Sequence, residues 1–174
     1  ESSGNNNVAI GYTAGRDAVG VSGSVFIGEN AGHSVSTGQQ NIAIGKDTMN
    51  GAAITGKQNI GIGSEAVLDA LTSGVLNIAI GAKAGSAINT GGYNTTVGFQ
   101  AGLSLTTSSG SIAIGTSAMA VATTGNNNIA IGNAAANGGN TTGDNNISIG
   151  TVAGDALTSG KDNVFIGNQA GIDV

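Results

Sequence analysis

The sequence predicts an all-β fold, a parallel β-solenoid of ten coils, each 17–18 residues long. Three observations predict it. First, a Gly that follows an aliphatic residue recurs at Gly11, Gly28, Gly45, Gly63, Gly81, Gly98, Gly115, Gly132, Gly150 and Gly167, always 17 or 18 residues from the last. Second, β-branched residues stand one and three places before each of these glycines, the period of a short strand. Third, the chain of 174 residues holds 32 Gly and no Pro, Cys or Trp, with only 9% charged residues. A conventional globular core leans on large side chains that this chain lacks. Disordered low-complexity chains avoid β-branched residues, whereas Ile and Val recur here on schedule. The periodicity points to one continuous repeat domain over residues 1–174.

The anchor Gly is numbered zero in each unit. Position −1 is Ile10, Ile27, Ile44, Ile62, Ile80, Val97, Ile114, Ile131, Ile149 and Ile166, and position −3 runs from Val8 to Val164 with Thr95 as its one polar member. Both belong to one face of a strand, and this face is expected to form the structural core. An Asp at Ile44 or Ile131 is accordingly expected to prevent folding. Position −4 is Asn except at Ser24 and Ser111, and a column of stacked Asn predicts an amide ladder.

The Gly at zero ends the strand at a corner that demands backbone freedom. Position +3 is Ala except at Thr48, small enough for a narrow interior. Position +7 is apolar in nine units, including Val35, Ile88, Leu105, Leu157 and Val174, and supplies a second inward contact from the return limb. A Ser/Thr-Gly pair ending at −7 makes the other corner in eight units. One such coil buries too little to order its own backbone, at about 1–2 kcal/mol per residue. Stacked coils pair their strands, and the array becomes stable as a whole. Helical repeats need about 33–47 residues per unit, more than this unit offers. A three-sided helix would show an aliphatic at every sixth residue, so one strong strand per coil predicts a two-sided roll.

The units Asn41-Ile42-Ala43-Ile44-Gly45 and Asn128-Ile129-Ala130-Ile131-Gly132 resemble the head repeats of trimeric autotransporter adhesins. They are also similar to repeats of phage tail fibres and related surface proteins. The resemblance spans essentially the whole chain, although these coils are longer than the usual head coil. It implies a left-handed parallel β-roll, three chains about one axis, an extracellular location on a cell surface or virion fibre, and a role in attachment to a surface receptor or glycan.

Position −2 points away from the −1/−3 face. Eight of its ten residues are small and none is charged, which is unusual for a solvated face. Ala9, Phe26, Ala43, Ala79, Ala113, Ala130 and Phe165 in this column are therefore expected at the chain–chain contact of a homotrimer, with Phe26 and Phe165 forming aromatic clusters about the axis. The ends are in phase: a second copy following directly would place its first anchor 18 residues after Gly167. That predicts a segment of a longer solenoid, or a subunit stacking end to end into a filament.

The same composition excludes several functions. A net charge of −5 with only five scattered Lys and Arg does not supply the basic footprint of nucleic-acid binding. No apolar run approaches the ~20 residues of a membrane helix, so membrane insertion is not expected. Without Cys there are no disulfides or thiolate metal sites. The lone His33 has no second ligand or triad partner nearby and reads as a turn residue. Glu65 and Asp69 read as surface charge, and the repeat itself explains Gly61-Ile62-Gly63. The Asp144-Asn145-Asn146 and Asp162-Asn163 stretches read as turns rather than calcium sites. The sequons at Asn94, Asn140 and Asn146 read as accidents of the repeat. No catalytic residue, cofactor or metal is expected, and the chain reads as a structural or adhesive fibre segment rather than an enzyme. An ice-binding solenoid is the alternative, but it needs a regular Thr array, and Thr stands only once at −2.

Overall fold

The computed structural model describes residues 4–51, 53–67, 73–139 and 141–172. Asp69, Asn140 and Val174 lie outside the described residues. Ten three-residue strands follow in order: β1 (Val8–Ile10), β2 (Val25–Ile27), β3 (Ile42–Ile44), β4 (Ile60–Ile62), β5 (Ile78–Ile80), β6 (Thr95–Val97), β7 (Ile112–Ile114), β8 (Ile129–Ile131), β9 (Ile147–Ile149) and β10 (Val164–Ile166). They form one parallel sheet in sequence order. The register sets each repeat position on its own copy, Ile42 on Ile60 and Ile60 on Ile78, for example. The molecule is thus a β-solenoid with one coil per repeat, and the described residues contain no helix.

The corners explain the glycines. The anchor Gly has φ between 129° and 136° in every coil, a region essentially confined to glycine. A Cβ at Gly28 or Gly63 would also lie 2.6 Å from the carbonyl oxygen of the next anchor. Positions +2, +4 and −5 adopt left-handed conformation in all ten coils, from Thr13, Gly15 and Asn6 to Gln169, Gly171 and Asp162. Non-glycine residues there cost about 1–2 kcal/mol each, offset by backbone bonds that repeat from coil to coil. The +2 N–H donates to the preceding coil's +1 carbonyl, as in Asp47 to Glu29 at 2.8 Å, and the +4 N–H donates to the following coil's +3 carbonyl, as in Gly102 to Ala118 at 2.8 Å. The return limb is therefore a hydrogen-bonded stack of turns, and among the described residues its one bridge outside the sheet joins Val35 and Ile54.

The interior corrects one sequence expectation. The side chains at −2, not those at −1 and −3, point into the coil. Ala43, Ala79, Ala113 and Ala130 are fully buried there, and Phe26 is 1% exposed. They line each chain's own core and are not free to contact another chain. Ala9, in the first coil, is open, and Phe165 is half-buried. The expected structural core residues Ile10, Ile27, Ile44, Ile62, Ile80, Val97, Ile114, Ile131, Ile149 and Ile166 face outward, and none is buried. The reason is width. The return limb lies so close beneath the strand that an inward position accepts Ala, Gly, Ser or Thr, but not a column of Ile. The larger interior groups come from the return limb: Val35, Ile88, Leu105, Met49 and Met119 are all fully buried, and so are the +3 alanines from Ala31 to Ala153.

Phe26 and Phe165 show how tightly this space is shared. A Cβ on Gly32 would overlap the Phe26 ring, and one on Gly171 would overlap that of Phe165. Both glycines stand at +4. Where +4 is Met49 or Met119, the −2 residues beside it are Ala43 and Gly61, or Ala113 and Ala130. The −2 and +4 columns thus trade volume inside each coil.

The Asn column, sharing the parity of −2, also points inward and forms the expected ladder. Asn77 Nδ2 donates to Asn59 Oδ1 at 3.0 Å, Asn94 Nδ2 to Asn77 Oδ1 at 3.1 Å, and Asn146 Nδ2 to Asn128 Oδ1 at 3.1 Å. Each amide binds the backbone as well: Asn77 Nδ2 reaches the Gly91 carbonyl at 2.9 Å, and Asn77 Oδ1 accepts the Asn94 N–H at 3.0 Å. Ser111 continues the column, accepting the Asn128 N–H on its Oγ at 3.2 Å.

Two measurements test this packing. Gly63→Ala should cost at least about 2 kcal/mol in chemical denaturation, from strain and backbone overlap together, while Ser64→Ala beside it should change stability by less than about 0.5 kcal/mol. Gly32→Met should destabilise by roughly 2 kcal/mol or more through overpacking. Adding Phe26→Ala should recover at least about half of that loss, a coupling that a double-mutant cycle reads directly.

Candidate interaction face

Each strand shows two side chains to the outside, at −3 and −1, and the register stacks them into two parallel ranks. All are Ile or Val except Thr95. Each is partly covered by its copies above and below. Ile80, Ile114 and Ile131 remain 39%, 38% and 36% exposed, and Ile10 and Ile166 in the first and last coils 59% and 67%. The result is an apolar face along the whole sheet, interrupted only at Thr95. The expected turn glycines Gly11 to Gly167 bound this face on one side, where the positive φ described above turns the chain inward.

The margins of the face are polar, with scattered aromatic residues. At +1, Tyr12 and Phe99 are exposed, and Lys46 pairs with Glu29 at 3.4 Å. At +2, Lys83 pairs with Glu65 at 3.4 Å, Asn30 Nδ2 donates to Asp47 Oδ1 at 2.7 Å, and the Thr13 hydroxyl bonds the Asn30 amide. These pairs run along the solenoid axis from coil to coil. Exposed pairs of this kind contribute about 0–1 kcal/mol each, so the backbone stack and the interior carry the stability. On the other margin, position −5 exposes Leu76 and Tyr93.

The remaining candidate residues have ordinary surroundings. His33 is half-buried in its turn, with Nδ1 3.1 Å from the Ser34 hydroxyl and 3.9 Å from the Asp17 carboxylate. Arg16 donates to that carboxylate through Nε at 3.2 Å and Nη2 at 3.4 Å. This bond, with the Arg16 charge, lowers the Asp17 pKa below its ordinary value. Asp144 Oδ1 accepts the Asn126 N–H at 2.6 Å. Asn94 and Asn146, the Asn residues of two sequons, are buried in the ladder. Among the described residues no three His, Cys, Asp or Glu side chains come together as a metal site would require.

Comparison of the chain with family models, curated proteins and solved structures finds no match.

The outward direction of the Ile ranks reverses the expected effect of a charge. Ile44→Asp and Ile131→Asp should keep the β circular-dichroism signature, because a carboxylate on the outward face reaches water from its half-buried or exposed position. Ala130→Asp should abolish it, since an unpaired carboxylate in the interior costs several kcal/mol. Comparing the spectra of the three variants checks the assignment of the two faces.

Proposed function

We propose that this chain is a structural and adhesive segment of an extracellular fibre, of the adhesin-head or phage tail-fibre kind, and that it assembles as a homotrimer through its outward Ile/Val face. The apolar face itself carries the reading. Exposed contiguous apolar patches on monomeric proteins rarely exceed a few hundred Å². Here two aliphatic ranks continue through ten strands, a stripe roughly 45 Å long at the ~4.8 Å strand spacing.

A second copy is the occupant whose chemistry fits. The face is uncharged and regular, and an identical face repeats the same coil spacing. Threefold closure would bring three such faces to one axis and leave the charged +1 and +2 margins outside. This differs from the assembly expected through −2, because the −2 side chains fill the coil. On this reading the segment does no chemistry and needs no cofactor. Its partners are its own copies and a surface receptor or glycan.

Light scattering on the purified chain at micromolar concentration tests the reading. The expected mass is three times that of one chain. Ile80→Lys combined with Ile114→Lys should reduce it to one chain while the β circular-dichroism signature remains. A wild-type chain that is monodisperse and monomeric would overturn the proposal.

A further inference from the structure

The corner before each strand forms a second surface, and over four successive coils, from Tyr93 to Asp144, it makes a groove. Position −5 has positive φ and is exposed in every coil. Tyr93, Gly110 and Asn127 occupy it in sequence. Tyr93 is 65% exposed, and Gly110 beside it has no side chain, so a notch opens along the ring. From the far side Asn127 leans over the glycine, its Oδ1 2.5 Å from where a Gly110 Cβ would stand. The groove between them has a volume of about 600 Å³.

Its floor is the −6 column, held in place by bonds along the axis. Ser109 Oγ accepts the Gly92 N–H at 3.2 Å, Asn126 Oδ1 accepts the Ser109 N–H at 2.9 Å, and Asp144 Oδ1 accepts the Asn126 N–H at 2.6 Å. The side chains are therefore oriented before any ligand arrives. Among the described residues no hydrogen bond engages the Asn127 side-chain amide or Asp144 Oδ2, and Asn126 Nδ2 has only a long contact to Asp144 Oδ1 at 3.3 Å. Donors and acceptors thus line the groove in the coils that follow one aromatic face.

We propose that this groove is a subsite for a neutral oligosaccharide. An oligosaccharide lying along the groove can stack the apolar C–H face of one pyranose ring on Tyr93 and offer hydroxyl groups of the following units to Asn126, Asn127 and Asp144. The Asp144 carboxylate disfavours an anionic ligand. The coil step resembles the length of one sugar unit in an extended glycan, so adjacent coils can address adjacent sugars. The inference rests on the adhesive half of the function proposed above and gives it a ligand class and a place.

The test is saturation-transfer NMR on the full chain with linear hexasaccharides of glucose, mannose, galactose or N-acetylglucosamine. At least one should receive saturation on the C–H protons of one pyranose face. Tyr93→Ala should weaken its binding by about tenfold. Gly110→Asn, a residue that tolerates positive φ, should fill the notch and weaken it similarly. Both variants should keep the wild-type mass in light scattering. The proposal is overturned if no hexasaccharide binds, if both variants bind as wild type does, or if Tyr93→Ala changes the mass, which would make Tyr93 an assembly contact. Lost binding with unchanged assembly removes the subsite alone, whereas a monomeric chain that still binds removes the trimer alone.

Discussion

One coil lies on the next with no room for a side-chain carbon at the anchor position. A Cβ at Gly45 would stand 2.6 Å from the Gly63 oxygen, and one at Gly98 2.7 Å from that of Gly115. Glycine answers this in two ways, by leaving the space empty and by adopting the φ near 130° that turns the chain under its own strand. The rest of the coil follows. A turn this sharp brings the return limb close beneath the strand, and the space between them is narrow along the whole axis.

That width sorts the side chains. Small residues fill the strand side of the interior, and Val35, Ile88 or Leu105 close it from the return limb. A larger group is admitted only by local exchange, as when Gly15 and Gly32 make room for Phe26. A core built mainly of alanine contributes little apolar burial, since large aliphatic side chains supply roughly 1.5–3 kcal/mol each and alanine far less. Hydrogen bonding fills the gap. From Asn41 to Asn146, each Asn of the ladder serves a neighbouring amide and a backbone carbonyl at once, as Asn59 does with Asn41 at 3.3 Å and Gly74 at 2.9 Å, and burial makes such satisfied networks strict about register.

The fold class was legible because spacing alone carries it. Glycine at zero, β-branched residues at −1 and −3, and Asn at −4 each mark a fixed point of the coil, and the ten strands fall where that pattern puts them. The face assignment was not legible in hydrophobicity, because the most apolar side chains, at −1 and −3, point outward. The corrective signal was present in parity. Asn at −4 and the small residues at −2 lie on the same side of a strand, and a buried amide ladder therefore places Ala43 and Ala130 inside with it. The +3 alanines pointed the same way, since a core narrow enough to demand Ala at +3 has no place for Ile44 or Ile131. The groove at Tyr93 was not legible in the sequence, because its shape depends on left-handed backbone at −5, and Leu76, Gln58 and Tyr93 carry no local sign of that conformation.

The division of positions also says where specificity can reside. The interior columns are coupled to one another through shared volume and shared hydrogen bonds, so a change at −4, −2 or +4 must be answered by a neighbour. The aliphatic ranks must stay uniform if copies are to pack along their length. Positions −5, +1 and +2 carry neither constraint, because their backbone bonds are made whatever the side chain. Their composition varies accordingly: −5 alone holds Gln40, Leu76, Tyr93, Gly110 and Asp162. On the adhesive function proposed above, a rigid repeated frame with free margins would let recognition change one coil at a time while the stack that supports it stays the same.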